Sequence, residues 1–290
     1  MTVVPFEYLS LQKQCPVCGN NIGPSHRRFK LQKDPDVWML KCNNCNLGTC
    51  EYLPSDNFLS GLYDPDHYAA SLTSNLKLSN KLAANISNKC SFLFSSKQKI
   101  SILDYGGGNG ALCNALMLDL RSRYKNIKFE SVVVDVYNSL DYKDISFLSV
   151  EEFDNASDKF DIVIASAVLE HLTNPKKILD KLIYLLNTDG VFYARTPYEI
   201  PLVKLNIGYK TSWPIHLHDM GPDFWEFIGN NYKDQIDFIQ SKTSVIETSI
   251  MNRPIRTSIA FLLKIPSLIE TSFIKNNINY NGVIWGLVGG

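Results

Sequence analysis

The sequence predicts an α/β protein, a doubly wound and mostly parallel sheet with a small cysteine-rich module at its N-terminus. Three observations predict it. Short apolar runs alternate with amphipathic segments from residue 100 to 197; a glycine turn, Gly106-Gly107-Gly108-Asn109-Gly110, joins the first run to a helix; and two Cys-x-x-Cys pairs precede both. Alternating strands and helices imply parallel strands with both faces of the sheet covered.

Composition narrows the classes. A chain of 290 residues holds one sizeable domain and a small appendage. Its 29 basic and 29 acidic residues cancel, with a pI near 6.9, which argues against a broad nucleic-acid surface. The start, Met1 to Glu7, has no basic stretch followed by an apolar one, so a cytoplasmic address is expected. The apolar run Ile259 to Leu263 stops at Lys264 and Pro266, well short of the roughly 20 residues of a membrane span.

In chain order, Cys15-Pro16-Val17-Cys18-Gly19 is answered by Cys42-Asn43-Asn44-Cys45-Asn46 after 23 intervening residues. Each pair can turn two thiolates toward one ion, and together they complete a tetrahedral four-sulfur shell for zinc. Four protein ligands leave no open position, so the expected zinc is structural. Short strands at Phe29-Lys30-Leu31 and Val37-Trp38-Met39-Leu40 lie between the pairs, and Cys50 is read as packing. Residues 1–52 are thus a zinc ribbon, 53–98 a helical connection or lid, and 99–290 the main domain. In the connection, Tyr52 to Pro65 is rich in turn formers, apolar residues from Leu72 to Leu93 recur at helical spacing, and Tyr63, His67 and Tyr68 are lid candidates.

The glycine turn follows the strand Ile100-Ser101-Ile102-Leu103-Asp104. Glycines there let backbone N–H groups and a helix N-terminus approach a ligand closely. The turn alone does not separate hydride carriers from methyl donors. Ala111 stands where a dinucleotide fingerprint carries Gly or Ala, and Asp104 suits an amino-bearing ligand better than a pyrophosphate. The next strand, Phe129 to Val134, ends at Asp135, which suits a ribose diol. A short strand at Ser146 to Val150 is followed by Phe160 to Ser166. A helix opens at Asn174-Pro175 and runs to Leu186, and a fifth strand spans Val191 to Pro197.

These motifs, Ile102-Leu103-Asp104-Tyr105-Gly106-Gly107-Gly108-Asn109-Gly110, Phe160-Asp161-Ile162-Val163, Val168-Leu169-Glu170-His171-Leu172 with Asn174-Pro175, and Asp189-Gly190 before Thr196-Pro197, resemble the class I S-adenosylmethionine-dependent methyltransferases. The resemblance covers residues 98 to 200. It implies a Rossmann-like, seven-stranded methyltransferase sheet. It also implies that Gly106, Gly108 and Gly110 cradle the donor, that Asp104 lies near its ammonium, and that Asp135 accepts its ribose hydroxyls. Ser149 and Val150 fall where an acid often reads adenine, a departure from the family pattern, and Ala165 and Ser166 line the sulfonium. His171 follows the fourth strand, where the family often has His, in an orienting or catalytic role. The front module is similar to ribbons that precede this fold in bacterial sugar and surface-polysaccharide methyltransferases.

After the fifth strand comes a long polar and aromatic connection with Tyr198, Glu199, Tyr209, Trp213, His216 and His218. The alternation from Pro214 to Met220 puts His216 and His218 on one face of an extended segment, as candidate bases for the acceptor. Two His without a clear third ligand do not make a metal site. A helix is expected from Gly221-Pro222, and last, antiparallel strands from within 244–288. The apolar segment 259–274 is read as core, or as a partner or membrane-surface helix. The expected function is methyl transfer from S-adenosylmethionine to a small molecule, a sugar or nucleotide-sugar. Two alternatives stay open: an RNA methyltransferase recognising its target through the ribbon, given Lys13, Arg27, Arg28, Lys30, Lys33 and Lys41, and a non-catalytic scaffold.

Overall fold

The computed structural model describes residues 3–62, 76–95, 97–136, 142–197, 212–233, 238–243 and 283–289, the last two as backbone. Tyr63, His67, Tyr68, Tyr198, Glu199, Tyr209 and the segment 259–274 lie outside the described residues.

Strands run in chain order as β1 (Leu9–Leu11), β2 (Arg27–Lys33), β3 (Asp36–Lys41), β4 (Gly48–Cys50), β5 (Tyr52–Pro54), β6 (Lys99–Tyr105), β7 (Lys128–Val134), β8 (Ser146–Leu148), β9 (Phe160–Ser166), β10 (Leu186–Pro197) and β11 (His218–Asp219). The central sheet is parallel in the order β8-β7-β6-β9-β10. From β6 the chain first winds outward through β7 and β8, then returns to β9 on the other side of β6. Strand order therefore reverses between β6 and β9, the point at which sheets of this kind leave a ligand crevice outside the carboxyl ends of the strands.

Side-chain alternation separates two cores. Ile100, Ile102, Ile162, Ile164, Val191 and Tyr193 face the Leu76–Lys89 and Ala111–Arg123 helices, whereas Leu103, Tyr105, Val163, Ala165, Phe192 and Ala194 face the Pro175–Tyr184 and Pro222–Asn231 helices. Period-two alternation in strands buried on both faces produces this division. At the amino end of β9, Asp161 accepts bonds from Lys97 Nζ at 2.5 Å, Ser101 N at 2.9 Å and Asn187 Nδ2 at 3.0 Å. That network lies at the opposite end of the strand from the crevice.

Several boundaries differ from the sequence reading. Asp56–Leu62 is helical where turn formers suggested a loop; the Ser55 hydroxyl accepts from Phe58 N, capping the helix. The Pro175 helix ends at Tyr184, and β10 begins at Leu186 with a register irregularity before Val191, where Asp189 takes a φ of 63°. Beyond β10, Val283–Gly289 and then Phe238–Thr243 pair in parallel rather than antiparallel.

At the N-terminus β2, β3 and β4 form an antiparallel sheet whose fourth strand is β11, from far along the chain. Trp213 and Leu217 pack into the same core as Val37, Met39 and Cys50. Trp213 Nε1 donates to Gln32 Oε1 at 3.2 Å, and Cys50 N donates to Leu217 O at 3.0 Å. The segment after β10 is thereby fastened to the N-terminal sheet. Cys50 is fully buried there, in agreement with its packing role, and burial pushes its thiol pKa up.

Candidate functional site

Parallel register brings the sequence-predicted residues to one end of the sheet. Val134, Tyr105, Ala165 and Ala194 lie in one row across β7, β6, β9 and β10. The residues that follow them, Asp135, Gly106, Ser166 and Arg195, rim the crevice.

The glycine turn takes its shape from three left-handed residues, Gly106 (φ 71°), Gly108 (φ 56°) and Gly110 (φ 81°). A Cβ on Gly106 would also meet Val168 Cγ2 at 2.5 Å, so the turn packs directly on the loop after β9. Gly106 N donates to Val134 O at 2.8 Å, and Gly108 N donates to Asp135 Oδ2 at 2.8 Å. Asp135 Oδ1 accepts from Val136 N, also at 2.8 Å. The Asp135 carboxylate is thus aimed by two backbone amides, and each oxygen keeps lone-pair capacity for a hydroxyl.

Asp104 is 1% exposed beneath the turn. Its Oδ2 has no hydrogen-bond partner among the described residues. Burial, reinforced by the charge of Asp135, pushes its pKa up to about 7. A buried carboxylate oxygen without a partner is costly, and a cation at the crevice would offset that cost.

The remaining donor-side candidates fall as follows. Ser149 caps the Val150–Asn155 helix, its hydroxyl accepting from Glu152 N at 3.2 Å while Glu152 Oε2 accepts from Ser149 N at 2.7 Å. Val150 is partly buried beside it. Ala165 is fully buried in the sheet, and Ser166 at the strand end accepts from Arg195 Nε at 2.9 Å. Burial lowers the Arg195 pKa, opposed by Tyr193 and Glu170.

The three histidines part company. His218 is 1% exposed, with Nδ1 3.0 Å from the Thr49 hydroxyl and Nε2 2.8 Å from Leu172 O. Burial pushes its pKa down to about 4. His216 is half-buried and lies edge-on to His171, ring centroids 5.0 Å apart. The two do not share a face of an extended segment, because residues 213–215 form a turn and His216 N donates to Ser212 O. His171 Nδ1 donates to Ile215 O at 2.9 Å, and its Nε2 is 3.7 Å from Glu170 Oε1. Burial lowers the His171 pKa against the pull of Glu170.

Sequence reasoning missed two residues here. Glu170 was noted only as part of a motif, yet it is 1% exposed and its Oε2 has no partner among the described residues. Arg195 had one local sign, a lone cation ending the apolar run Val191 to Ala194.

The four N-terminal cysteines converge. Cys15 Sγ and Cys45 Sγ are 3.4 Å apart, Cys18 Sγ and Cys42 Sγ 3.5 Å, and all four sulfurs lie within 4.8 Å of one another. Tetrahedral zinc with bonds of about 2.3 Å needs sulfurs ~3.8 Å apart, so the set fits such an ion. The two turns are built alike. Gly19 N donates to Cys15 O and Asn46 N to Cys42 O, while Cys15 N donates to Asn20 O and Cys42 N to Leu47 O. Gly19 and Asn46 both take positive φ, at 74° and 60°.

Comparison with known proteins gives a family. The family model described as a methyltransferase domain matches residues 76–235, more than half of the chain. Among solved structures the chain is similar to a CurJ carbon methyltransferase, at 17% identity over 53% of this chain and 46% of that one, TM-score 0.39. It is also similar to the plantazolicin methyltransferase BpumL in complex with a monoazolic desmethylPZN analog and SAH, at 14% identity over 61% and 70%, TM-score 0.40. A third is the plantazolicin methyltransferase BamL in complex with a triazolic analog and SAH, at 20% identity over 62% and 68%, TM-score 0.39. The chain spans about half the length of the first of these structures. No curated protein matches it. Among the described residues no helix is long and apolar enough to cross a membrane. On the strength of the family-model match, the chain belongs to the methyltransferase-domain family.

Proposed function

We propose that this protein transfers the sulfonium methyl group of S-adenosylmethionine to a small-molecule acceptor. The observation that carries the reading is Asp104, a buried carboxylate whose Oδ2 lacks a partner among the described residues, under a glycine turn at the reversal of strand order. An amino group of the donor is the partner that position calls for. In this reading Gly108 and Gly110 give the donor close access to the backbone, and Asp135 holds its ribose hydroxyls. Ala165 and Ser166 flank the sulfonium, and Ser149 and Val150 border the adenine. Methyl transfer is an in-line displacement, so alignment of acceptor and donor accounts for much of the rate.

On the acceptor side we place Glu170, His171 and His216, which stand together on the loop after β9 and the turn before β11. His218, with both ring nitrogens bonded, serves to hold that loop rather than to move a proton. The N-terminal cysteines, in this reading, hold a structural zinc that keeps β4 and β11 together. The finer elements of the reading are a seven-stranded sheet, a cytoplasmic address and a sugar or nucleotide-sugar acceptor. The acceptor class draws its support from the joining of a four-cysteine ribbon to this fold.

Three of the six basic residues of the N-terminal module are paired within the protein. Arg27 pairs with Glu51 at 2.6 Å, Lys30 with Asp36 at 2.8 Å and Lys41 with Asp223 at 3.8 Å. That pairing favours a small acceptor over RNA. Incubation with methyl-labelled donor and separate pools of sugars, nucleotide-sugars and RNA tests the assignment. Label in the sugar or nucleotide-sugar pool is expected; label confined to RNA, or transfer to none of them, would overturn it.

A further inference from the structure

Glu170, His171 and His216 each offer one ligand atom, and the three atoms lie within 4.8 Å of one another. Sequence reasoning found two histidines, His216 and His218, without a third ligand; folding replaces that pair with a different set. His218 turns away to Thr49 and Leu172, while His216 meets His171 from the Leu169–His171 turn.

We propose that Glu170, His171 and His216 bind a divalent transition-metal ion, separate from the four-cysteine site, that presents open coordination positions to an oxygen of the acceptor. Two imidazoles and one carboxylate form a donor set suited to zinc and its first-row neighbours, with positions to spare. The His171 ring is held as metal-ligating imidazoles commonly are, its Nδ1–H donating to a backbone carbonyl, that of Ile215, at 2.9 Å. Independently, the Glu170 side chain is only 2% exposed, one oxygen is 3.7 Å from His171 Nε2, and the other has no partner among the described residues. That second oxygen is open to a further electrophilic partner. Arg195 donates its Nε to Ser166, and its charge also acts on Glu170. The position also suits the chemistry, since the three residues stand at the carboxyl end of β9 beyond Ser166, next to the donor crevice. An acceptor hydroxyl on such an ion becomes more acidic and is fixed in direction.

The role toward the acceptor rests on the methyl-transfer reading; the ion site itself does not. The test uses the full chain stripped of metal and refilled with Co2+, with bound ion counted by atomic emission and ligation followed by absorption. Two equivalents are expected, one giving intense thiolate-to-cobalt charge transfer and one giving weaker visible bands of nitrogen and oxygen ligation. His216→Ala is expected to lose the second equivalent and its bands while the thiolate bands persist. Glu170→Gln, which keeps the side-chain shape, gives a second variant with the same expected loss. A single equivalent in the unmodified chain, or two equivalents undiminished in both variants, would overturn the proposal. Calorimetry with S-adenosylmethionine on the same samples separates the two readings: failure to bind donor with both ions retained counts against methyl transfer alone.

Discussion

His218 and Thr49, 169 positions apart in sequence, meet at 3.0 Å in the interior, where the imidazole Nδ1 and the threonine hydroxyl share a hydrogen bond. The other ring nitrogen reaches the carbonyl of Leu172, on the loop that carries Glu170 and His171. One buried ring therefore ties the N-terminal sheet to the candidate acceptor loop.

Breaking that tie should be costly. His218→Ala removes both bonds and leaves Thr49 and the Leu172 carbonyl without this partner, so a loss of about 2–4 kcal/mol is expected. Thr49→Val should cost about 1–2 kcal/mol, and the double variant less than the sum of the singles, because one bond is counted in both. Urea unfolding of the four proteins measures the coupling. Strict additivity would mean that the bond contributes nothing.

Gly106 is expected to tolerate no side chain. Gly106→Ala places a methyl 2.5 Å from Val168 Cγ2 at a φ of 71°. The combined clash and strain should cost on the order of 2–4 kcal/mol and weaken donor binding. Adding Val168→Ala should recover little of the melting temperature, because the Val168 Cβ, which alanine keeps, would itself lie 2.7 Å from the new methyl. The backbone strain would persist.

Asp161 provides a contrast, since its network sits at the far end of β9. Burial alone would raise its pKa, but Lys97, Ser101 and Asn187 together hold it below the usual value. With a folded pKa below 3.8, its contribution is present above that value and is lost as pH falls through the folded pKa. Asp161→Asn should lower stability at pH 7 by about 1–3 kcal/mol with donor affinity unchanged in the folded fraction. Melting curves at pH 7 and pH 3 check the first half and calorimetry the second.

The proposed zinc should matter to folding beyond the N-terminal segment, because β11, Trp213 and Leu217 belong to that segment's sheet and core. Cys42→Ser is expected to abolish thiolate-type metal binding and to lower the melting temperature by on the order of 10 °C or more. Retention of the full melting temperature in the variant would show that the cysteines act as packing alone.

Much of this was legible in local sequence. The glycine turn, the acids at the ends of β6 and β7 and the Cys-x-x-Cys pairs are short-range signatures, each set by backbone demands within a few residues. Contacts between distant segments were not legible in that way. Nothing local marks His218 as an interior strut rather than a base, because its fate is decided by Thr49 and Leu172. Glu170 reads as an ordinary motif acid until His216 is brought beside His171. The end of the Pro175 helix at Tyr184 and the irregular start of β10 depend on pairing with β9, which overrides local propensity.

Asp104 allows the most direct test. Its folded pKa of about 7 lies above the ordinary 3.8, so the donor-free protein loses stability as pH rises between those values and carries the full penalty above 7. The groups that face it are Asp135 and the Cys113 thiol, neither of which supplies a positive charge. A cationic donor should bind the ionised form, so its affinity should fall as pH drops below about 7. The measurement is a calorimetric titration of the full chain with S-adenosylmethionine at pH 8 and pH 6, beside Asp104→Asn. The expected result is one donor per chain, bound more tightly at pH 8, with the variant weakened about tenfold or more at pH 8 and its pH dependence flattened. No heat and no thermal shift at either pH, or an Asp104→Asn protein that binds like the parent, would contradict it.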